Sequence, residues 1–398
     1  MPHKTLAALT AVLLGATSSM AMADKNLDRA EALTRKYLLI DTHIDVPYRV
    51  HDHWEDVTAA TEDGEFDYPR AVAGGLNVPF MSIYTPPSSE LDGSAYNLAN
   101  TLIDQVEAIV ARAPDRFAIA RSPADVDAQF AEGKISLALG MENGAPIAGE
   151  LDNLRHFRDR GVSYITLAHG LSNHISDSSY DEVRFWNGLS PFGVELVAAM
   201  NQAGVMVDIS HLSDAAALEA IKLSKVPVIA SHSSMRKFTP EFERNMNDDL
   251  LKALARRDGV IMINFGSSFL TAKANQYMKT FGETADTYAK RYGLADHSAE
   301  METFEAQYRG RQPFPFATVS DVADHIDHAV KVAGIEHVGL GSDYDGVGDS
   351  LPIGLKDVST YPNLVAELLR RRYSDSDIEK LLGGNLMRVW REVTAAAH

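Results

Sequence analysis

The chain has no cysteine among its 398 residues. Disulfides, Fe–S clusters, a thiol nucleophile and a thiolate zinc site are therefore excluded, and any metal must take its ligands from histidine and carboxylate side chains. Positive charge is also scarce, with 37 Lys+Arg against 55 Asp+Glu and a formal net charge of −18. So acidic a surface repels phosphate backbones and anionic lipid, which argues against a general role on nucleic acid or at a membrane surface. Long apolar runs are missing too. The one near the N-terminus falls short of the roughly 18 residues that a bilayer span requires, and the last residues, Arg391 to His398, offer no hydrophobic tail for a lipid anchor. What the chain does have is length and 45% hydrophobic residues, enough to bury a sizeable core in one large α/β domain or two ordinary ones.

The N-terminus reads as an export signal. A basic start ending at Lys4 leads into an apolar stretch over residues 5–15, and small residues at Ala21 and Ala23 precede the charged pair Asp24-Lys25. Residues 1–23 are expected to be removed, leaving a mature domain over 24–398 with no membrane span, exported to a periplasm or secreted. A cysteine-free chain also avoids mispairing in an oxidising compartment.

Along the mature chain, short apolar or β-branched runs occur at 38–41, 76–83, 135–141, 162–168, 205–209, 226–230, 260–265 and 337–340. Amphipathic stretches separate them at 95–113, 151–160, 191–203, 214–223, 248–256 and 319–332. Runs that are nearly all apolar fit parallel strands covered on both faces, and eight such units predict a (β/α)8 barrel of TIM type with insertions, ahead of an open doubly wound sheet. Residues 271–317 are expected to be a partly helical insertion serving as a lid or an oligomer contact. At the C-terminus, 374–396, two helices over 375–382 and 385–393 are expected, broken at Gly383-Gly384.

The polar residues at the ends of those runs carry the chemistry. The first run leads into Asp41-Thr-His43-Ile-Asp45, the third into Gly140-Met-Glu142-Asn-Gly144, the fourth into Thr166-Leu-Ala-His169 and the fifth into Asp208-Ile-Ser-His211. The sixth gives Ser231-His232-Ser and the eighth Gly341-Ser-Asp343-Tyr-Asp-Gly346. In an α/β barrel all C-terminal strand ends open onto one mouth, so six such side chains converge there. One strand-end histidine is ordinarily a hydrogen-bonded structural residue; the repeated coincidence of imidazole and carboxylate points to a metal site. Two positions apart on an extended strand, His43 and Asp45 face the same side and can grip one ion. A second ion would need its own histidines and a bridging carboxylate, which His211, His232 and Glu142 can provide. Other candidates read more plainly: His51, His53 and Trp54 as a solvated loop, His325 and His328 as a helix surface, and Gly140 and Gly144 as permitting tight backbone around Glu142.

Taken in order, this set resembles the membrane (renal) dipeptidase family of the amidohydrolase superfamily, over residues 38–393. The resemblance implies hydrolysis of dipeptides, broadly L-Xaa-L/D-Xaa, by a metal-bridging hydroxide at a centre of two Zn2+ per subunit. By that likeness His43, Asp45 and Glu142 hold one zinc, and Glu142, His211 and His232 the other. His169 would polarise the scissile carbonyl or bind the oxyanion, Asp343 would move protons between the attacking water and the leaving amine, and Arg244 would bind the substrate's C-terminal carboxylate. A homodimer is expected by the same likeness. Two alternatives stand beside it. The first is another binuclear amidohydrolase, a lactonase, deaminase or β-lactam hydrolase, although most of those begin with His-x-His and many bridge their metals through a carboxylated lysine. The second is an exported, non-catalytic binding protein, which would not need Asp343 or His169 beside the metals.

Overall fold

Strands with helices on both sides must be apolar on both faces, and Ile135–Glu142 is buried at every position. The computed structural model describes residues 25–295 and 298–397; the expected export segment, 1–23, lies outside them. The strands are β1 Ile40–Ile44, β2 Val78–Tyr84, β3 Phe117–Ile119, β4 Ile135–Glu142, β5 Val162–Thr166, β6 Met206–Asp208, β7 Ile229–Ser233, β8 Val260–Ile263 and β9 Val338–Leu340. Every pairing between them is parallel, in the order β1-β2-β4-β5-β6-β7-β8-β9. A parallel bridge from Ile44 to Tyr344 joins the two ends, with the Asp343 amide donating to the His43 carbonyl and the Asp45 amide to that of Tyr344. The result is the expected eight-stranded α/β barrel, nearly closed. The additional strand, β3, pairs with the first three residues of β4 outside the barrel path. Three residues carry no periodicity from which to read it.

The helices between strands stop and start on local signals. Pro191–Ala203 and Asp214–Leu223 occupy the expected spans, each opened by a serine, Ser190 or Ser213, whose side chain accepts an amide hydrogen bond from the first turn. Their buried faces pack on the outside of the sheet in the main core. A second core fills the barrel interior. There Ile40, Val78, Phe80, Ala138, Met206, Ile229 and Val260 meet Leu386, Val389 and Trp390 of the C-terminal helix, with the Phe80 and Trp390 rings 5.2 Å apart. That helix plugs one end of the barrel, and the polar strand ends occupy the other.

The C-terminal segment departs from expectation. Asp375–Glu379 continues through a π-helical turn, Lys380–Gly384, into Asn385–Ala395, with helical dihedral angles at both junctions, so Gly383-Gly384 does not break the helix. The physical reason is close approach. A Cβ on Gly383 would lie 2.6 Å from the Leu38 carbonyl oxygen and 2.8 Å from Ile40, so the glycine lets the helix seat against the entry to β1.

The described part of residues 271–317 is largely two helices, in line with the expected partly helical insertion. Ala272–Tyr292 and Ala299–Arg311 are joined by aromatic contacts such as Tyr288 on Phe304, at 4.4 Å. None of its described residues lines the cavity at the barrel mouth. His325 is not on a helix surface but fully buried. Its Nδ1 accepts from the Met235 amide and its Nε2 donates to the Leu270 carbonyl, and burial pushes its pKa down to about 4. It is a neutral structural pin. His51 and His53 are exposed, but His51 lies in the helix Val46–Asp52 rather than a loop and His53 reaches the cavity rim.

The packing of the C-terminal helix gives a direct test. Gly383→Ala is expected to destabilise the fold by about 1–3 kcal/mol through overpacking, visible as a lower thermal midpoint. Gly384→Ala, at an exposed position, is expected to cost less.

Candidate metal centre and substrate cavity

The strand ends converge on one carboxylate. Glu142, the last residue of β4, places Oε1 3.0 Å from His211 Nε2, 3.2 Å from His232 Nε2 and 3.5 Å from His169 Nε2. Its Oε2 lies 3.4 Å from His43 Nε2 and accepts from the Ser82 hydroxyl. Asp45 Oδ2 is 3.4 Å from the same His43 nitrogen. His43 and His232 stack at 3.7 Å, and His169 and His211 lie at 4.2 Å. Candidate ligand atoms fall within 4.8 Å of one another in three groups: His43, Glu142 and His232; Glu142, His169 and His211; His43, Asp45 and Asp343. These groups cut across the expected pairing of histidines, with Glu142 common to two.

The convergence of His43 and Asp45 does not come from strand alternation. A register irregularity between Asp41 and Ile44 interrupts β1, and Asp45 lies past the strand at the N-cap position of the helix Val46–Asp52, with φ −89° and ψ 25° and its side chain making no cap bond. His211 and Asp343 have φ of +69° and +66°, a left-handed conformation that costs a non-glycine residue about 1–3 kcal/mol. Gly346 completes the pocket floor: a Cβ there would lie 2.2 Å from Asp45 Oδ2 and 2.4 Å from Asp343 Oδ1.

Partners behind the histidines fix which nitrogen faces the centre. The Tyr164 hydroxyl donates to the Thr42 carbonyl, so it accepts from His43 Nδ1 at 2.9 Å, and in the neutral ring Nε2 then carries its lone pair inward. The Ser231 hydroxyl likewise donates to Asp208 Oδ2, accepts from His232 Nδ1 at 2.8 Å and leaves that ring's Nε2 inward. His43 Nε2 is buried with no hydrogen-bond partner, and the Nε2 atoms of His211 and His232 face each other at 2.9 Å. Lone pairs aimed at one another and at carboxylates fit a cation held among them.

The charges follow. Burial opposes ionisation of Glu142, but His43, His169 and hydrogen bonding with His211 and His232 hold it well below the usual carboxylate range, while, against burial, Tyr164, Glu142 and Asp45 push His43 well up. Burial, then Arg244, pushes His211 well down; burial, then His43 and Arg244, does the same to His232. Burial, reinforced by Asp45 and Glu142 against His43 and Arg244, pushes Asp343 up to about 7. Asn264 Nδ2 donates to Asp343 Oδ2 at 2.6 Å.

A cavity of about 730 Å³ opens over this floor, walled by Tyr48 and Tyr84 on one side and bordered elsewhere by Tyr180 and Phe269. Arg49 stands at its rim, held by Asp345 at 3.0 Å and Glu55 at 2.6 Å. Arg244 is no surface arginine. It is 3% exposed, donates to the Ser233 hydroxyl and the His232 carbonyl, lies 5.3 Å from the Phe269 ring and keeps a buried Nε–H without a partner.

The family model for membrane dipeptidase, peptidase family M19, matches residues 27–398. The chain belongs to that family. Dipeptidase verJ of Clonostachys rogersoniana is 33% identical over 390 residues, covering 94% of this chain and 89% of that protein. The probable dipeptidase PvdM from Pseudomonas aeruginosa has a TM-score of 0.81 at 28% identity, covering 94% of this chain and all of that one. A metallo peptidase from Rhodobacter sphaeroides, solved with a phosphinate mimic of the dipeptide L-Ala-D-Ala, has a TM-score of 0.74 at 24% identity over 90% of this chain and 99% of that one; at that identity the likeness speaks for the fold. This membrane dipeptidase family member is a metallo-dipeptidase.

Sequence reasoning missed the supporting residues of the dipeptidase: Tyr164, Ser231 and Asn264, which orient its histidines and Asp343, and Tyr84 and Tyr180 in the cavity. Gly140 is expected from the sequence to serve Glu142, but its constraint is the Tyr164 ring, which a Cβ would meet at 2.0 Å. Tyr164→Phe, which keeps the ring and removes the acceptor for His43, is expected to weaken metal binding by about 10–100-fold. Chelator competition measures this, and an unchanged affinity would remove Tyr164 from the site.

Proposed function

We propose that this metallo-dipeptidase is an exported enzyme using two Zn2+ per subunit to cleave dipeptides of the broad class L-Xaa-L/D-Xaa, and that it acts as a homodimer. The observation that carries the reading is one buried carboxylate, Glu142, within 3.5 Å of four imidazole nitrogens beside an acid held near neutrality. In this reading His43, Asp45 and Glu142 hold one ion, and Glu142, His211 and His232 the other. Bound zinc supplies Lewis acidity toward the carbonyl and lowers the pKa of a water nucleophile toward neutrality.

The chain's own residues do the rest. Asp343, with Oδ2 tied down by Asn264, takes the proton lost by the attacking water and returns it to the leaving amine. A group titrating near the working pH suits both halves of that transfer. His169 lines the cavity with its Nδ1 unpartnered and donates to the carbonyl oxygen as negative charge grows there, a role worth about 3 kcal/mol in sites of this kind. Arg244 binds the carboxylate of the C-terminal residue, and a free carboxylate one residue past the scissile bond sets substrate length. Among the described residues no helix is long and apolar enough to cross a membrane. In a periplasm the substrates would include fragments of the cell wall.

The deciding experiment is a dipeptide-library screen on the zinc-loaded protein; turnover of no member would overturn the assignment. Asp343→Asn is expected to lower kcat by about 10²–10⁴-fold while two zinc equivalents remain bound. Undiminished turnover would remove Asp343 from proton transfer. Glu142→Ala is expected to lose metal as well as activity, and retention of both metals with full activity would refute the bridge.

A further inference from the structure

The loop between β5 and the helix Pro191–Ala203 is stitched to two of the site histidines. The Ser178 hydroxyl donates to the His169 carbonyl, Ser178 pairs with Leu212 across an antiparallel bridge, and the Ser179 amide donates to the His211 carbonyl at 2.7 Å. These bonds deliver the next residue, Tyr180, to the cavity wall, its ring 5.8 Å from His211 and 5.9 Å from Phe242. Phe242 in turn meets Phe269 at 5.6 Å, and Phe269 meets the Arg244 guanidinium at 5.3 Å. Tyr180 and Phe269 of the cavity wall thus form, with Phe242 between them, an aromatic enclosure that reaches the buried Arg244 guanidinium.

Two features of that enclosure ask for an anion with a second donor. Arg244 has spent two hydrogen bonds on neutral oxygens, and a buried guanidinium without an anion is costly. Phe269, across its face, has no polar atom to offer. The Tyr180 hydroxyl makes no side-chain hydrogen bond among the described residues, and after burial the charge that influences it most is Arg244.

We propose that Tyr180 is a specificity-determining residue of the dipeptidase, its hydroxyl donating to the same C-terminal substrate carboxylate that Arg244 binds. The inference rests on the reading of Arg244 given above. A phenol at this point favours an acceptor that is anionic over a neutral carboxamide, because a charge-assisted bond is roughly twice as strong as a neutral one. Since Tyr180 is half exposed, losing its hydroxyl leaves the core untouched.

The test compares wild type with Tyr180→Phe on Ala-Ala and on the same dipeptide with its C-terminal carboxylate converted to carboxamide, both zinc-loaded, with metal content and thermal midpoint recorded. The expected result is a rise of about tenfold in KM for Ala-Ala, with kcat little changed, and a matching fall in the preference for acid over amide. An unchanged KM, or an equal loss on both substrates, overturns the role of Tyr180. Wild-type protein that cleaves no dipeptide would instead defeat the proposed function, and this inference with it.

Discussion

A buried carboxylate surrounded by imidazole is the constraint on which the site depends. Glu142 and Asp343 are 4% and 8% exposed, so burial penalises ionisation of both. Their fates nonetheless diverge. Glu142 faces four histidines and stays ionised; Asp343 faces the carboxylates of Asp45 and Glu142 and is driven toward protonation. Two acids at one depth have been separated by their neighbours, which suits the binding role proposed for one and the proton-transfer role proposed for the other.

That separation requires each ring to present the correct nitrogen, and the barrel enforces it from behind. Tyr164 on β5 reaches across to His43 on β1, and the route is open only because Gly140 on the intervening β4 lacks a Cβ. Ser231 and Asp208 form the equivalent chain behind His232 on β7. Donor and acceptor roles propagate from the Thr42 carbonyl in the first chain and from the Asp208 carboxylate in the second. The site can therefore accept left-handed backbone at His211 and Asp343, since bonds such as that from the Asp343 amide to the His43 carbonyl fix those turns.

The barrel and the ligand positions are legible in the sequence for one reason. Parallel strands leave apolar runs, and a titratable residue at the end of such a run stands out because burying it costs free energy unless it is paired or binds something. Eight runs and six polar ends can be placed without coordinates. The supporting residues give no such signal. Tyr164 and Asn264 sit in or just after apolar runs, where an aromatic or an amide reads as ordinary strand, and their role depends on partners 121 and 79 residues away. His325 misleads in the opposite direction. Its helical spacing is real, but a single buried imidazole between a backbone donor and a backbone acceptor leaves no trace in the periodicity. Gly383-Gly384 suggests a break because glycine usually ends helices; here the demand is for space against β1.

The distribution of charge across the cavity bears on why a site of this kind suits dipeptides rather than longer chains. The cavity floor concentrates carboxylates, Asp45, Glu142 and Asp343. Arg244, bonded to the Ser233 hydroxyl and the His232 carbonyl, lies against Phe269, which Phe242 links to Tyr180 on the cavity wall. Under the proposed function a zwitterion would offer its negative terminus to the guanidinium and its positive one to the carboxylates. A tripeptide aligned on the same scissile bond would bring a neutral amide to the guanidinium and leave its carboxylate beyond the enclosure. Under the proposed role of Arg244, length selection would follow from the cost of leaving a buried cation without its anion, whatever the two side chains are. The same proposal leaves the acidity of the exterior outside substrate choice: the net charge of −18 is spread over the chain, while Arg244, Asp45, Glu142 and Asp343 are buried and little screened.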